Sequence, residues 1–307
     1  MLNLRKTFLA TILLAVIAIL AACGGADNDE GETDGNNENQ TGESKGSISI
    51  GMNNWAENVA VSNMWKIILE EKGYEVDLTS VEKGVLYEGL SNGDLDIGME
   101  IWLPNTDQHF YEEHKDTIDW REEWYQGTDL ALVVPSFVEE VNSIEDLNEH
   151  RELFESEIKG IDPGSSIMGL TEEVIDQYEL EYELLPSSEP TMLAELDNYM
   201  NHHQQPILVT LWKPHWAFAE MDLKILEDPK NVYGDTENIS YAARLGFEED
   251  YPQVAEWFDN FMLNDMQLGS LMASLNEADS EPEGAQAWID ENRELIEEWL
   301  TSSSDSE

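Results

Sequence analysis

Three tryptophans, Trp55, Trp102 and Trp212, stand where an extended apolar stretch gives way to a turn. Trp102 closes the segment DLDIGMEIWLPNTD, in which Ile97 to Ile101 reads as a buried strand. Pro104 has no N–H to give a sheet ladder and stiffens the residue before it, so the strand should stop there. Trp55 follows SISIGM, and Trp212 follows PILVTL and opens into Lys213-Pro214-His215-Trp216. A single tryptophan at such a place is ordinarily a core residue. Three at comparable places are a pattern, because parallel α/β sheets bind ligands beyond the carboxyl ends of their strands. Indole faces suit a cation with no N–H of its own. A carboxylate offers such a cation charge but no directed bond, whereas each desolvated indole contributes about 2 kcal/mol or more and apolar contact for methyl groups. A further turn, Asp162-Pro163-Gly164-Ser165-Ser166-Ile167, leads a strand into a helix and exposes amides that suit a carboxylate or phosphate. By itself that turn is equally an ordinary loop. With the three indoles it describes a site for a trimethylammonium carboxylate.

The elements that must position these residues alternate along the chain. Ser47 to Met52 alternates as a strand, and Val61, Met64, Trp65, Ile68 and Leu69 recur at helical spacing before Gly73. Tyr74 to Val81 reads as a second strand, Val85 to Leu90 as a helix ending at Asn92-Gly93, and Ile97 to Trp102 as the third strand. Strand, helix, strand, helix, strand is a parallel α/β unit. Asn105 to His114 is expected to be a short helix, and Asp129 to Pro135 a strand crossing to a second lobe, with Trp120 and Trp124 packing at the boundary. The second lobe repeats the alternation: a helix beginning at Ser143 with Asp146 at capping-box distance, strands at Glu157–Ile161, Tyr182–Leu185, Pro206–Leu211 and Leu223–Leu226, and helices from Ile167 towards Tyr178 and from Thr191 to Met200. Near Tyr241 to Leu245 the chain should return to the first lobe. From Tyr251 to Leu300 it reads as helical, and Trp65, Trp257, Trp288 and Trp299 lie on apolar stripes as core.

The domain expectation is a signal peptide over 1–22, a linker over 23–46, a first lobe from 47–130 and 240–300, a second lobe over 131–239 and a tail over 301–307. The fold class is α/β, two lobes joined by two crossings with a cleft between them. Arg5 and Lys6 precede an apolar run, Phe8 to Leu20, too short for a comfortable membrane span. Leu20-Ala21-Ala22-Cys23 resembles a bacterial lipobox, and Cys23 is the chain's single cysteine, so no intrachain disulfide is possible. Residues 24–46 contain no large apolar side chain and read as a disordered tether reaching about 25 Å. A domain held outside a membrane in that way suits capture of a solute for a membrane partner.

The formal charge is −51, from 15 basic and 66 acidic residues in 307. Loss of the leader would leave 13 basic residues and no fewer acids, a net −53. Nucleic acid is excluded as a partner, because phosphate binding needs a basic surface. The charge reads as a solvation device. The six histidines have no metal-ligand spacing, His109 and His114 in particular sharing no helix face, and no cofactor is expected. HExxH and P-loop motifs are absent, and the one GxSxG match, Gly42 to Gly46, lies in the polar linker and not at a strand-to-helix turn, which argues against a lipoprotein hydrolase and against an enzyme of any kind.

The segments NNWAENVAVSNMW, DIGMEIWLPNTD, IDPGSSIMGLT and LVTLWKPHW resemble those of the glycine betaine and proline betaine substrate-binding proteins of ABC importers. The resemblance runs over nearly all of residues 47–300. It implies a two-lobed type II binding-protein fold, in a lipid-anchored extracytoplasmic protein that hands a quaternary ammonium osmolyte to a permease and an ATPase. It also implies that Trp55, Trp102 and Trp212 form the ligand cage and that the amides of Ser166 and Ile167 hold the ligand carboxylate. Where close relatives read WLPNTH this chain has Asp107, an acid at a carboxylate-binding position. It must be turned away, protonated or offset, with Lys213 the expected counter-charge. Glu57 resembles an acid that choline-binding relatives place near the ligand hydroxyl. Choline and carnitine are therefore competing ligands, and a sensory receptor using the same cleft is a competing role.

Overall fold

The computed structural model describes residues 44–301. The expected leader, Cys23, most of the linker and the tail beyond 301 lie outside the described residues. Order begins slightly before the expected first strand: Lys45 N–H donates to the Gly73 carbonyl and Gly46 accepts from Glu75.

Strands β1 (Ser47–Met52), β2 (Glu75–Ser80) and β3 (Ile97–Leu103) are parallel neighbours in the order β2-β1-β3. They are connected through helices α1 (Ala56–Glu71) and α2 (Lys83–Asn92). Gly93, in the left-handed region at φ 75°, ends α2, as a residue without Cβ can at no steric cost. Helix α2 lies tight on the sheet because β1 and β3 offer it glycines. A Cβ on Gly51 would come within 2.5 Å of Leu86 Cδ1, and one on Gly98 within 2.8 Å. That close approach sets the start of α2, and with it Lys83, beside the strand ends.

After α3 (Gln108–His114), the long strand β4 (Ile118–Pro135) joins both halves of the molecule. Up to Thr128 it pairs with β9 (Glu237–Arg244), which lies antiparallel between β3 and β4. From Asp129 it pairs instead with β7 (Val209–Lys213), and its end pairs with β8 (Leu223–Ile225). Parallel strands β5 (Glu157–Lys159) and β6 (Glu183–Leu185) complete the second sheet beyond β7. Helices α4 (Ser166–Gln177) and α5 (Glu189–Asp197) belong to this half, with a short α6 (Ala217–Glu220) after β7. The terminal helices α7 (Phe247–Asp250), α8 (Pro252–Asp259), α9 (Asp265–Glu277), α10 (Glu281–Glu291) and α11 (Arg293–Trp299) follow β9, and α9 and α10 pack against α1. No helix among the described residues is long and apolar enough to cross a membrane.

Two sequence expectations are corrected here. The return to the first sheet comes before Tyr241: Glu237 already pairs with Thr128. The acids and Pro229 of the preceding loop hid the start of β9, and an antiparallel strand inserted beside parallel ones leaves no mark in a periodicity pattern. Trp120 and Trp124 do not precede the crossing strand at a lobe boundary but lie on β4 within the first sheet. Trp124 is fully buried, donates to the Met99 carbonyl at 2.7 Å and stacks on Phe261, while Trp120 lies against Tyr87 and Tyr111. Trp65 is core as expected, with Phe258, Phe261 and Trp299 within 6.2 Å of its ring.

Candidate functional site

The strand ends of the two sheets converge on one cavity. Trp55 is the residue before α1, Trp102 is the penultimate residue of β3 and Trp212 that of β7, and all three line it. Leu103–Pro104 and Lys213–Pro214, which follow the last two, are both cis peptides. The Trp55 and Trp212 rings meet edge to face, 6.4 Å apart at 66°. The Trp55 indole N–H donates across the cleft to Asp162 at 3.3 Å, and that of Trp102 donates to Glu100 Oε1. The Trp212 N–H lies near the Glu57 carboxyl but makes no hydrogen bond of ordinary geometry. From the second half, Ile161, Ser165, Ser166 and Ile167 close the far wall, with α4 starting there. The first amides of a helix lack intrahelical acceptors, so this wall is electropositive.

The remaining wall is charged. Glu57, Glu100 and Asp107 are each 0% exposed and Lys83 is 3% exposed. Lys83 Nζ pairs with Asp107 Oδ2 at 2.8 Å, donates to the Glu100 carbonyl and lies 5.3 Å from the centre of the Trp55 ring. An ammonium thus already sits in cation–π range of one of the three indoles. Asp107 also accepts the Trp102 backbone N–H at 2.8 Å and the Ser166 hydroxyl at 2.9 Å. The structure therefore turns Asp107 towards the cavity and offsets it with Lys83. The expected counter-ion, Lys213, is exposed and lies over Phe218 instead. Alternation along β7 carries Lys213 to the face opposite Trp212.

Glu57 is held up to about 7, chiefly by burial and then by the charge of Glu189. Glu100 is pushed well above the carboxylate range by burial and next by the charge of Glu57. The Trp212 indole N–H and the Glu100 carboxyl lie near Glu57, but neither Glu57 oxygen nor Oε2 of Glu100 is reached by a hydrogen bond of ordinary geometry. Across the cleft, Glu189 Oε2 accepts the Ala56 N–H at 3.0 Å and its Oε1 meets His215 Nε2 at 3.1 Å. An acid from the second half thus caps α1 beside Trp55.

All seven ligand-site residues named from the sequence, Trp55, Glu57, Trp102, Asp107, Ser166, Ile167 and Trp212, line this one cavity. Cys23 lies outside the described residues. Lys83 and Glu100 were not expected. Glu100 had a signal, an acid inside the strand IGMEIWL, whose first six residues are all buried. Lys83, in an ordinary helix start, had none.

Residues 46–291 match the family model described as the substrate-binding domain of the ABC-type glycine betaine transport system. The chain belongs to that family. A curated relative, the glycine betaine/carnitine transport binding protein GbuC of Listeria monocytogenes, is 39% identical over 145 residues, 46% of this chain and 48% of that one. The match spans about half that relative's length. Among solved structures, the glycine betaine/L-proline-binding protein ProX of Borrelia burgdorferi superposes with TM-score 0.79 at 35% identity over 83% of this chain and 97% of that one. Lactococcal OpuAC, in its closed-liganded conformation with glycine betaine, superposes with TM-score 0.78 at 29% identity over 83% and 99%. The two-lobed binding-protein architecture expected from the alternation and the resemblance is the one these chains share, and all three relatives are binding proteins.

Proposed function

We propose that this chain captures glycine betaine, or a related quaternary ammonium osmolyte, in a cage made by Trp55, Trp102 and Trp212 and delivers it to the permease and ATPase of an ABC importer. The observation that carries the reading is the convergence of three indoles, from the start of α1 and the ends of β3 and β7, on one cavity, with an ammonium already 5.3 Å from the Trp55 ring. The amides of Ser166 and Ile167 would take the carboxylate. Two lobes, 47–130 with the C-terminal region and the segment between β4 and β9, would close on the ligand as jaws. The protein binds and does not transform its ligand. Tryptophan fluorescence titration with glycine betaine, proline betaine, carnitine and choline tests this. A saturable change with glycine betaine is expected, and silence towards all four would overturn the reading.

Choline is the second reading, and a specific observation favours it. The Asp107 carboxylate bonds Ser166, at the start of α4, where a ligand carboxylate would otherwise go. Tighter binding of choline than of glycine betaine would replace the substrate and keep the cage. A kinase gene beside this one, in place of permease and ATPase genes, would favour a sensory role.

We also propose that Cys23 carries a lipid that holds the mature protein on the outer face of the membrane. Changing Cys23 to Ala is expected to move the protein from the membrane fraction to the soluble fraction. An unchanged membrane fraction would remove the anchor and leave the binding site untouched.

A further inference from the structure

Two acids have no partner adequate to their burial. Glu57, in the first turn of α1, and Glu100, in the middle of β3, are both fully buried on the cavity wall. Of their four oxygens only Glu100 Oε1 has a donor in ordinary hydrogen-bond geometry, the Trp102 indole, while the Trp212 indole N–H and the Glu100 carboxyl lie near Glu57. The cation nearest to them, Lys83, is engaged by Asp107 and by the Glu100 backbone carbonyl. Two carboxylates sharing a buried site cannot both ionise without a counter-charge. A quaternary ammonium in the cavity would be that counter-charge.

We propose that Glu57 and Glu100 form a proton-exchange pair: Glu100 keeps a proton in both states, and Glu57 carries an exchangeable one that an entering quaternary ammonium releases to solvent. This rests on the capture reading above. The ligand substitutes its fixed charge for that of the proton, with no bond made or broken beyond one carboxyl O–H. It needs no hydrogen bond from the ligand, which a quaternary ammonium cannot give. The charged and titratable groups acting on the pair from neighbouring elements are Lys83 and Tyr87 on α2 and Glu189 on α5 with its partner His215, with Asp107 before α3 on the same cavity wall. Lys83 is the one base among them whose side chain lines the cavity, so their sum is negative and favours retention of a proton on the pair.

The sign follows from where the proton sits. Glu57, raised by burial and the Glu189 charge, exchanges near pH 7 in the free protein. A bound cation favours the Glu57 carboxylate and lowers that value. Below about 7 the proton therefore competes with the ligand, and above it the competition ends. Affinity should climb with pH by at most about tenfold per unit, and level off above neutrality.

Calorimetric titration of the intact protein with glycine betaine and with choline, in buffers of different ionisation enthalpy, counts the proton. Release of up to one proton is expected at about pH 6 and much less at about pH 8. Affinity for both ligands should be roughly tenfold weaker at the lower pH. The double variant Glu57→Gln/Glu100→Gln should release none and bind with flat pH dependence. His215→Gln should keep the release, and its loss there would assign the titration to the His215–Glu189 pair and overturn the proposal. Binding without proton release by the unaltered protein would overturn it too while leaving the capture reading intact. This measurement stands whether or not the double variant folds. No binding of either ligand at about pH 8 would remove both readings.

Discussion

Cutting Trp102 back to alanine is expected to weaken quaternary ammonium binding by about 2 kcal/mol or more, roughly thirtyfold in Kd, with the fold retained. The ring is only 4% exposed, yet part of its surface faces the cavity. Truncation therefore widens an existing void and does not open a new one inside the core. Trp55→Ala and Trp212→Ala should behave alike, although Trp55 also stands at the start of α1. Trp65→Ala is the contrast. Its ring is wholly enclosed by Phe258, Phe261 and Trp299, so its loss should cost on the order of 3–5 kcal/mol of stability through cavity formation. Thermal unfolding and calorimetric titration of the four variants, run side by side, separate the two roles. Full-strength binding by the Trp102 variant would sink the cage.

What the sequence made legible is what repeats or alternates. Parallel strands carry continuous apolar runs and helices carry 3.6-residue stripes, and Gly73, Gly93 and Pro104 mark the ends of α1, α2 and β3. That is why β1, β2 and β3 with α1 and α2 could be read in order, and why three indoles at strand exits could be assigned to one cleft. Asp107 illustrates the limit. Its identity could be read, and its conflict with a ligand carboxylate could be stated. Its partner could not be identified, because Lys83 reaches it from α2, 24 positions earlier, through side-chain packing that leaves no periodic trace. Lys213 was the nearest basic residue to a pocket tryptophan in sequence, and strand alternation sends neighbours in sequence to opposite faces. The pairing of β9 between β3 and β4 is hidden for a related reason. Register across a sheet depends on which edges are free, and no local window contains both.

Replacing Lys83 with Met is expected to cost about 3–5 kcal/mol of stability, because it leaves the Asp107 charge buried without its counter-ion. The side chains are 2% and 0% exposed, so water cannot take over the role of the ammonium. The Glu100 carbonyl loses its donor in the same step. Adding Asp107→Asn should recover only part of the loss. Asp107 accepts both the Trp102 N–H and the Ser166 hydroxyl, and an amide turns one of its two acceptor atoms into a donor. One buried partner then goes unpaired, at about 1–3 kcal/mol. Ligand preference should move the other way. Lys83 Nζ lies 5.3 Å from the Trp55 ring, in the range a bound ammonium would occupy, and it repels any cation beside it. Its removal should favour choline over glycine betaine, since the betaine carboxylate gains nothing from losing a positive neighbour. Urea unfolding of the single and double variants, with titration of both ligands, tests the two halves separately. A Lys83→Met protein as stable as its parent would mean that Asp107 finds its counter-charge elsewhere. An unchanged choline-to-betaine ratio would mean that the Lys83 ammonium lies outside the cation's place in the cage.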